Sequence, residues 1–184
     1  VRWAADRLYA TSQAQGLFTV DDEGLTTQLN GDVELGALTP TPWGFWAIDR
    51  ATRDIVRIDA EGRVEGSLID SSNTPGPPWY LAATGRDGGL FFSAGEGDSS
   101  GVYFIDAGGS PRQVASLPEA RGLGLSDDRR TLYAVAAGDV NVWAFDVGAG
   151  GELSNQRPVA ELFRGDGRYG RADLERSADA GPED

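Results

Sequence analysis

The side chains available for chemistry are few in kind. The 184-residue chain contains no His, Cys, Met or Lys, and all 16 of its basic residues are Arg. That removes Ser-His-Asp and Cys-His nucleophiles, Cys/His zinc sites, Schiff-base lysines and the phosphate-loop lysine. Oxygen chemistry from Asp, Glu, Asn, Ser, Thr and Tyr remains, with Arg as the fixed cation, and a metal held by such ligands would be a hard one such as calcium or magnesium. The lack of Cys excludes disulfides and leaves the compartment open.

The most regular polar feature is an apolar-Asp phrase running into glycine, at Val20-Asp21, Ile58-Asp59, Ile105-Asp106 and Phe145-Asp146. An Asp that opens a turn can accept from the backbone two residues on, and Gly supplies the positive φ that closes a tight hairpin. These aspartates are therefore read as turn formers; as metal ligands they would have to converge, whereas one per repeat sets them apart. Asp70-Ser71-Ser72 and Asp98-Ser99-Ser100 read as solvated polar loops. Pro77-Pro78-Trp79-Tyr80 is either a stacking platform for a ring-shaped ligand or packing that plugs a channel. No glycine pattern has the strand-loop-helix context of a nucleotide site.

The elements that carry these residues are short strands at even spacing. Gly122–Ser126, Leu132–Ala136 and Val142–Val147 form a meander punctuated by Asp127-Asp128-Arg129-Arg130 and ended by Gly148. Earlier copies run Arg7–Thr11, Gly16–Val20 and Leu25–Leu29; then Gly44–Ile48, Asp54–Ile58 and Arg63–Ile69; then Leu90–Ala94, Val102–Ile105 and Pro111–Leu117. The fourth copy ends on an outer strand near Val159–Phe163. Anchors Leu8, Phe45, Leu90 and Leu132 lie 37, 45 and 42 residues apart, near the ~40 to 50 residues of a propeller blade. The small residues of Leu81-Ala82-Ala83 and Gly122-Leu123-Gly124 suit strands crowded near an axis.

Composition bounds the function. With 40% hydrophobic residues and five Trp the chain is a folded one, and its net charge of −13 opposes a phosphate backbone, so no nucleic acid is expected. No run of 18 apolar residues and no basic-then-apolar leader is present, so no membrane span is expected. The chain opens on Val; if that start is genuine, the cytoplasm is the expected compartment.

Beyond these patterns, the residues resemble a known family. GLGLSDDRRTLYAVAAGDVNVWAFDVGAGGELSNQRPVAEL is similar to a blade of the senescence-marker-protein (regucalcin), gluconolactonase and luciferin-regenerating-enzyme family, with Trp143, Asp146, Leu153, Asn155 and Arg157 in register. PPWYLAATGRDGGLFFSA resembles the preceding blade, and Val1-Arg2-Trp3 before Asp6-Arg7-Leu8-Tyr9 resembles the stretch just after the family's first Glu-Gly-Pro. The resemblance implies a six-bladed all-β propeller acting as a metal-dependent lactone hydrolase, with calcium, zinc or magnesium held on the axis by Glu, two Asn and Asp. Carried over, the Glu would precede Val1, the two Asn fall on Trp79 and Arg121, and the final ligand falls on Asp184. Tyr80 stands where an Asp would come after the first Asn.

The resulting expectations are specific. About four blades, near 1–30, 31–70, 71–118 and 119–164, form an incomplete ring with no helix beyond about two turns, and a polar loop or frayed segment occupies 165–184. Strand edges near Val1–Trp3 and Val159–Phe163 are available to pair with further chain. Trp79, Tyr80 and Arg121 are the candidate substrate-binding residues for a lactone or sugar acid, Asp184 the candidate metal ligand, and Trp79 and Arg121 are expected to meet at one end of the axis. The alternative is a non-catalytic propeller that binds a small anion or a protein partner through that axial face.

Overall fold

The computed structural model describes residues 2–4, 7–12, 16–21, 23–24, 26–83, 89–106 and 109–161. Among these residues, sixteen strands form four antiparallel sheets. The first holds β1 (Arg2–Ala4), β2 (Arg7–Ser12), β3 (Gly16–Val20) and β4 (Thr26–Asn30); the second β5 (Leu35–Thr41), β6 (Gly44–Asp49), β7 (Ile55–Asp59) and β8 (Val64–Ile69). The third holds β9 (Tyr80–Ala83), β10 (Leu90–Ala94), β11 (Gly101–Ile105) and β12 (Arg112–Ala115); the fourth β13 (Ala120–Leu125), β14 (Thr131–Ala136), β15 (Asn141–Val147) and β16 (Leu153–Glu161). Within each sheet the strands lie in chain order. The helical content among the described residues is two three-residue 3-10 turns, Ser71–Asn73 and Gly97–Ser99.

Side-chain alternation glues the sheets face to face. In β6, Phe45 and Ala47 join Tyr9, Leu17, Leu35 and Ile58 between the first and second sheets, while Trp46 and Ile48 join Leu90, Phe92 and Ile105 between the second and third. In β10, Phe91 points the other way and packs with Leu123, Leu132 and Phe145 of the fourth sheet. A strand covered on both faces must be apolar at nearly every position, which explains why GFWAI and LFFSA show no polar alternation. Each such Phe or Leu contributes about 1.5–3 kcal/mol by leaving water. Three apolar clusters thus join the sheets in series, and none among the described residues joins the fourth to the first. The inner strands keep the same series, β1 against β5, β5 against β9 and β9 against β13. The molecule is an incomplete β-propeller of four blades.

Two details differ from the sequence reading. β5, Leu35–Thr41, is a strand that its Thr-Pro-Thr composition hid. It is the innermost strand of its sheet, where a proline's missing N–H removes no ladder bond on the open side, so Pro40 is accommodated opposite Phe45. The second concerns the aspartates. Asp21 Oδ1 accepts from Glu23 N–H at 3.0 Å and Asp59 Oδ1 from Glu61 and Arg63 N–H at 3.0 and 2.8 Å, as turn formers do. Asp146 does not. It lies inside β15, and its carboxylate accepts from Asn155 Nδ2 at 2.9 Å and Arg157 Nη1 at 2.7 Å across the β15–β16 pair. The next turn is capped instead by Glu152, whose Oε2 accepts from Gly150 N–H at 3.0 Å. Consequently β16 begins at Leu153, six residues before the outer strand expected at Val159.

Candidate functional site at the axial mouth

Inner strands β9 and β13 are neighbours and start at the same end of the axis. Trp79 directly precedes β9, tied down by its N–H, which donates to Ser93 O at 2.9 Å. Arg121 is the second residue of β13. Their side chains meet there: the Arg121 guanidinium carbon is 5.7 Å from the Trp79 ring centroid. A second guanidinium, that of Arg53 in the β6–β7 turn, is 5.8 Å from the same ring. Both distances fall inside the range of cation–π attraction, worth about 0.5–1 kcal/mol at exposed sites.

Trp79 stays open to solvent, 41% exposed, and Tyr80 beside it is 36% exposed. Trp79, Tyr80, Arg50, Arg53 and Arg121 line a cavity of about 510 Å³, closed on the far side by Thr11 and the start of β5. Arg121 also holds an ion pair with Glu119 at 3.4 Å, both side chains half or more exposed, so that pair is weak. Two of the four non-glycine residues with positive φ among the described residues lie at this mouth, the others being Arg129 and Asn155 toward the opposite end. Arg53 and Glu119 have φ of 67° and 50°, a conformation costly for side chains with a Cβ. Arg53 is clamped by its N–H, which donates to Asp49 O at 2.8 Å, and Glu119 by Ser100 Oγ, which accepts from Glu119 N–H at 2.9 Å.

A second cavity of about 210 Å³ shares Trp79 and Arg121 with the first and runs between the third and fourth sheets past Ser93 and Ser100. Sequence reasoning named Trp79, Tyr80 and Arg121, and these come together. It missed Arg53, which nothing in its own stretch distinguishes from any turn residue. It also missed Ser93, although a lone hydroxyl in the apolar run Leu90–Ala94 was a legible signal. Asp184 lies outside the described residues. Among the described residues no three His, Cys, Asp or Glu side chains gather in a way that could hold a metal ion.

No protein-family model and no curated protein matches this sequence. Solved structures do match. A gluconolactonase from Xanthomonas campestris superposes with a TM-score of 0.71 at 20% identity, over 85% of this chain and 59% of that one. The chain has the fold of the gluconolactonase-type propellers. Luciferin-regenerating enzyme, of the same senescence-marker-protein and gluconolactonase group, superposes at 0.58 with 18% identity, over 83% of this chain and 59% of that one. A chain of a nidogen/laminin complex matches at 0.64 with 15% identity, over 84% of this chain and 61% of that one. The gluconolactonase-like chain therefore spans about three fifths of the length of these three structures.

Proposed function

We propose that the axial mouth binds a small organic anion, a carboxylate of the sugar-acid class, and that it does so without a metal ion. The observation that carries this reading is the placement of two guanidiniums, Arg53 and Arg121, within 6 Å of one exposed indole at the rim of a cavity. A guanidinium presents paired N–H donors that match a carboxylate, and it remains charged at any ordinary pH. The indole offers an apolar face on which the C–H side of a sugar acid can lie. On a chain of net charge −13, paired guanidiniums give an anion a local attraction that the rest of the surface opposes on average.

Lactone hydrolysis with a divalent cation is the second reading, favoured by the likeness to the Xanthomonas gluconolactonase. The residues at the mouth do not fit that ion. At the two positions where the family resemblance calls for Asn, Trp79 offers no oxygen and Arg121 puts a fixed positive charge where the ion would sit. Glu119, a carboxylate at the mouth, is already paired with Arg121. What the residues can do is hold and orient an acid.

Calorimetric titration of the chain with D-gluconate and, separately, with calcium and zinc chlorides discriminates the readings. Saturable gluconate binding that weakens with added salt and is lost in Arg121→Ala is the expected result. Micromolar binding of either metal together with no binding of gluconate would overturn it. Replacing Trp79 and Arg121 together by Asn should move the chain toward the metal.

A further inference from the structure

We propose that the smaller cavity, between the third and fourth sheets, is a polar subsite anchored by Ser93 Oγ, and that it takes the hydroxylated tail of the acid whose carboxylate Arg121 holds. This rests on the anion-binding reading above and adds to it the feature that selects a hydroxylated acid over a plain one.

Ser93 stands in β10 within Leu90–Ala94, where every residue is buried. Its own exposure is 1%. Alternation along β10 puts it on the same side as Phe91, toward the fourth sheet, and its cross-strand partners are Tyr80 and Val102. That is the side on which the 210 Å³ cavity lies. Its backbone oxygen is used by Trp79 N–H, but its hydroxyl has no hydrogen-bond partner in the protein. A buried hydroxyl that is left unpaired destabilises a fold, and most such groups are satisfied. Ser100, the other buried serine on this wall, has its Oγ already engaged by Glu119 N–H. Among the buried side chains of this wall Ser93 is thus the unused donor and acceptor; the carboxylates of Glu96 and Glu119 also line the cavity.

The cavity is built rather than incidental. Gly95 has a φ of 95°, and a Cβ there would collide with Ser99 O, so the loop after β10 is folded tightly over the opening. Gly76, with a φ of 157°, packs against Gly95 in turn, where an added Cβ would lie 2.9 Å from its Cα. The volume is several times that of one water molecule, about 30 Å³ in the liquid. Because Trp79 and Arg121 line both cavities, a ligand whose carboxylate sits on Arg121 can turn its chain either across the open mouth or down to Ser93. Only the second route offers a buried hydrogen-bonding group to a hydroxyl, and an alkyl chain taking it would leave that group unpaired. Discrimination of this kind exceeds what apolar contact alone can give.

The test compares D-gluconate with hexanoate, an acid of equal chain length without hydroxyls, in the wild type, Ser93→Ala and Ser93→Val. Gluconate should bind more tightly than hexanoate to the wild type. Ser93→Ala should weaken gluconate roughly three- to tenfold and leave hexanoate unchanged, and Ser93→Val, which also fills the space, should weaken gluconate further. The free Ser93→Ala protein should melt at the same temperature as the wild type or higher, since it loses an unpaired hydroxyl. Unchanged gluconate affinity in both variants, with affinity still lost in Arg121→Ala, would overturn the subsite and leave the anion site standing. A lower melting temperature for Ser93→Ala would mark Ser93 as a structural hydroxyl and also overturn the subsite. No gluconate binding by the wild type would overturn both readings.

Discussion

The third and fourth sheets hold cavities at both ends, and the larger is at the end away from the mouth. Where β13 turns into β14 and β15 into β16, about 850 Å³ is lined by Phe104, Asp106, Asp127, Asp128 and the glycines after Val147. The mouth cavities, about 510 and 210 Å³, are smaller. What separates the two ends is how far the polar groups are already committed. At the turn end Asp128 Oδ1 accepts from Ser126 Oγ at 2.6 Å and Arg130 N–H at 3.0 Å, Glu152 caps Gly150, and Arg112 donates to Gly150 O. Asp128 and Glu152 close hairpins, and Arg112 ties the third sheet to the fourth. At the mouth an indole lies open beside two guanidiniums, and a buried hydroxyl has no partner. Cavity size and available chemistry therefore point to opposite ends, and the proposed anion site follows the chemistry.

The largest effect that can break this comparison is expected at the turn end. Gly151 has a φ of 77°, and a Cβ added there would lie 2.6 Å from the Phe104 ring, itself packed on Phe91 at 4.9 Å. Gly151→Ala combines left-handed strain with overpacking and should lower the unfolding free energy by about 2–4 kcal/mol. Urea denaturation measures that, and gluconate affinity at temperatures where the variant is folded should be unchanged. A variant that folds normally but fails to bind gluconate would place the site at the turn end instead.

The complementary substitution is Trp79→Ala. With Trp79 41% exposed and only weak cation–π contacts to lose, unfolding free energy should change by no more than about 1 kcal/mol. Gluconate affinity should fall at least roughly tenfold, because the aromatic face flanked by both guanidiniums is gone. Titration and denaturation of the same preparation check both halves. Loss of stability without loss of binding would mean that Trp79 is packing, the plainer of the two roles its Pro-Pro-Trp-Tyr stretch allowed.

Much of the fold was legible because a blade's middle strands are covered on both sides. GFWAI, LFFSA and VYFI announce that covering directly, and Asp-x-x-Gly turns mark their ends. The inner strands were harder: β5 carries Pro40, and β9 is four residues long. Their edges face the axis and are free of the ladder constraints that make strands recognisable. Asp146 misled for a related reason. Its apolar-Asp phrase matches Asp21 and Asp59, yet a two-versus-one register shift between β15 and β16 moves the turn onward and leaves Asp146 to bind Asn155 and Arg157. Of the site, the Trp79–Arg121 meeting followed from the family resemblance, which set both residues at the start of neighbouring inner strands. Arg53 depended on a turn in another blade, and no local pattern encodes that.

The smallest expected effect is one of acidity, and it sharpens the same contrast. Three carboxylates at the turn end are held below their ordinary range: Asp128 by the Ser126 hydroxyl and then Arg130 N–H, Asp146 by Asn155 and then Arg157, and Glu152 by its own N–H and that of Gly150. A carboxylate whose folded pKa lies below its unfolded value, about 3.9 for Asp, binds fewer protons folded than unfolded. Its stabilisation is complete above that value and is lost as pH falls through the lower folded one. Melting temperature should therefore be level from pH 7 to about 5 and decline below about 4. Because these groups are exposed, each contributes little, and Asp128→Asn should lower the neutral-pH melting temperature slightly while making the acid decline shallower. The mouth gives the opposite dependence on conditions. A guanidinium is a permanent cation, so gluconate affinity at the mouth should respond to salt, and to pH only as the ligand's own carboxylate protonates. If melting temperature and gluconate affinity instead fell together as the turn-end carboxylates were protonated, the two ends would be coupled and their division of labour would be wrong.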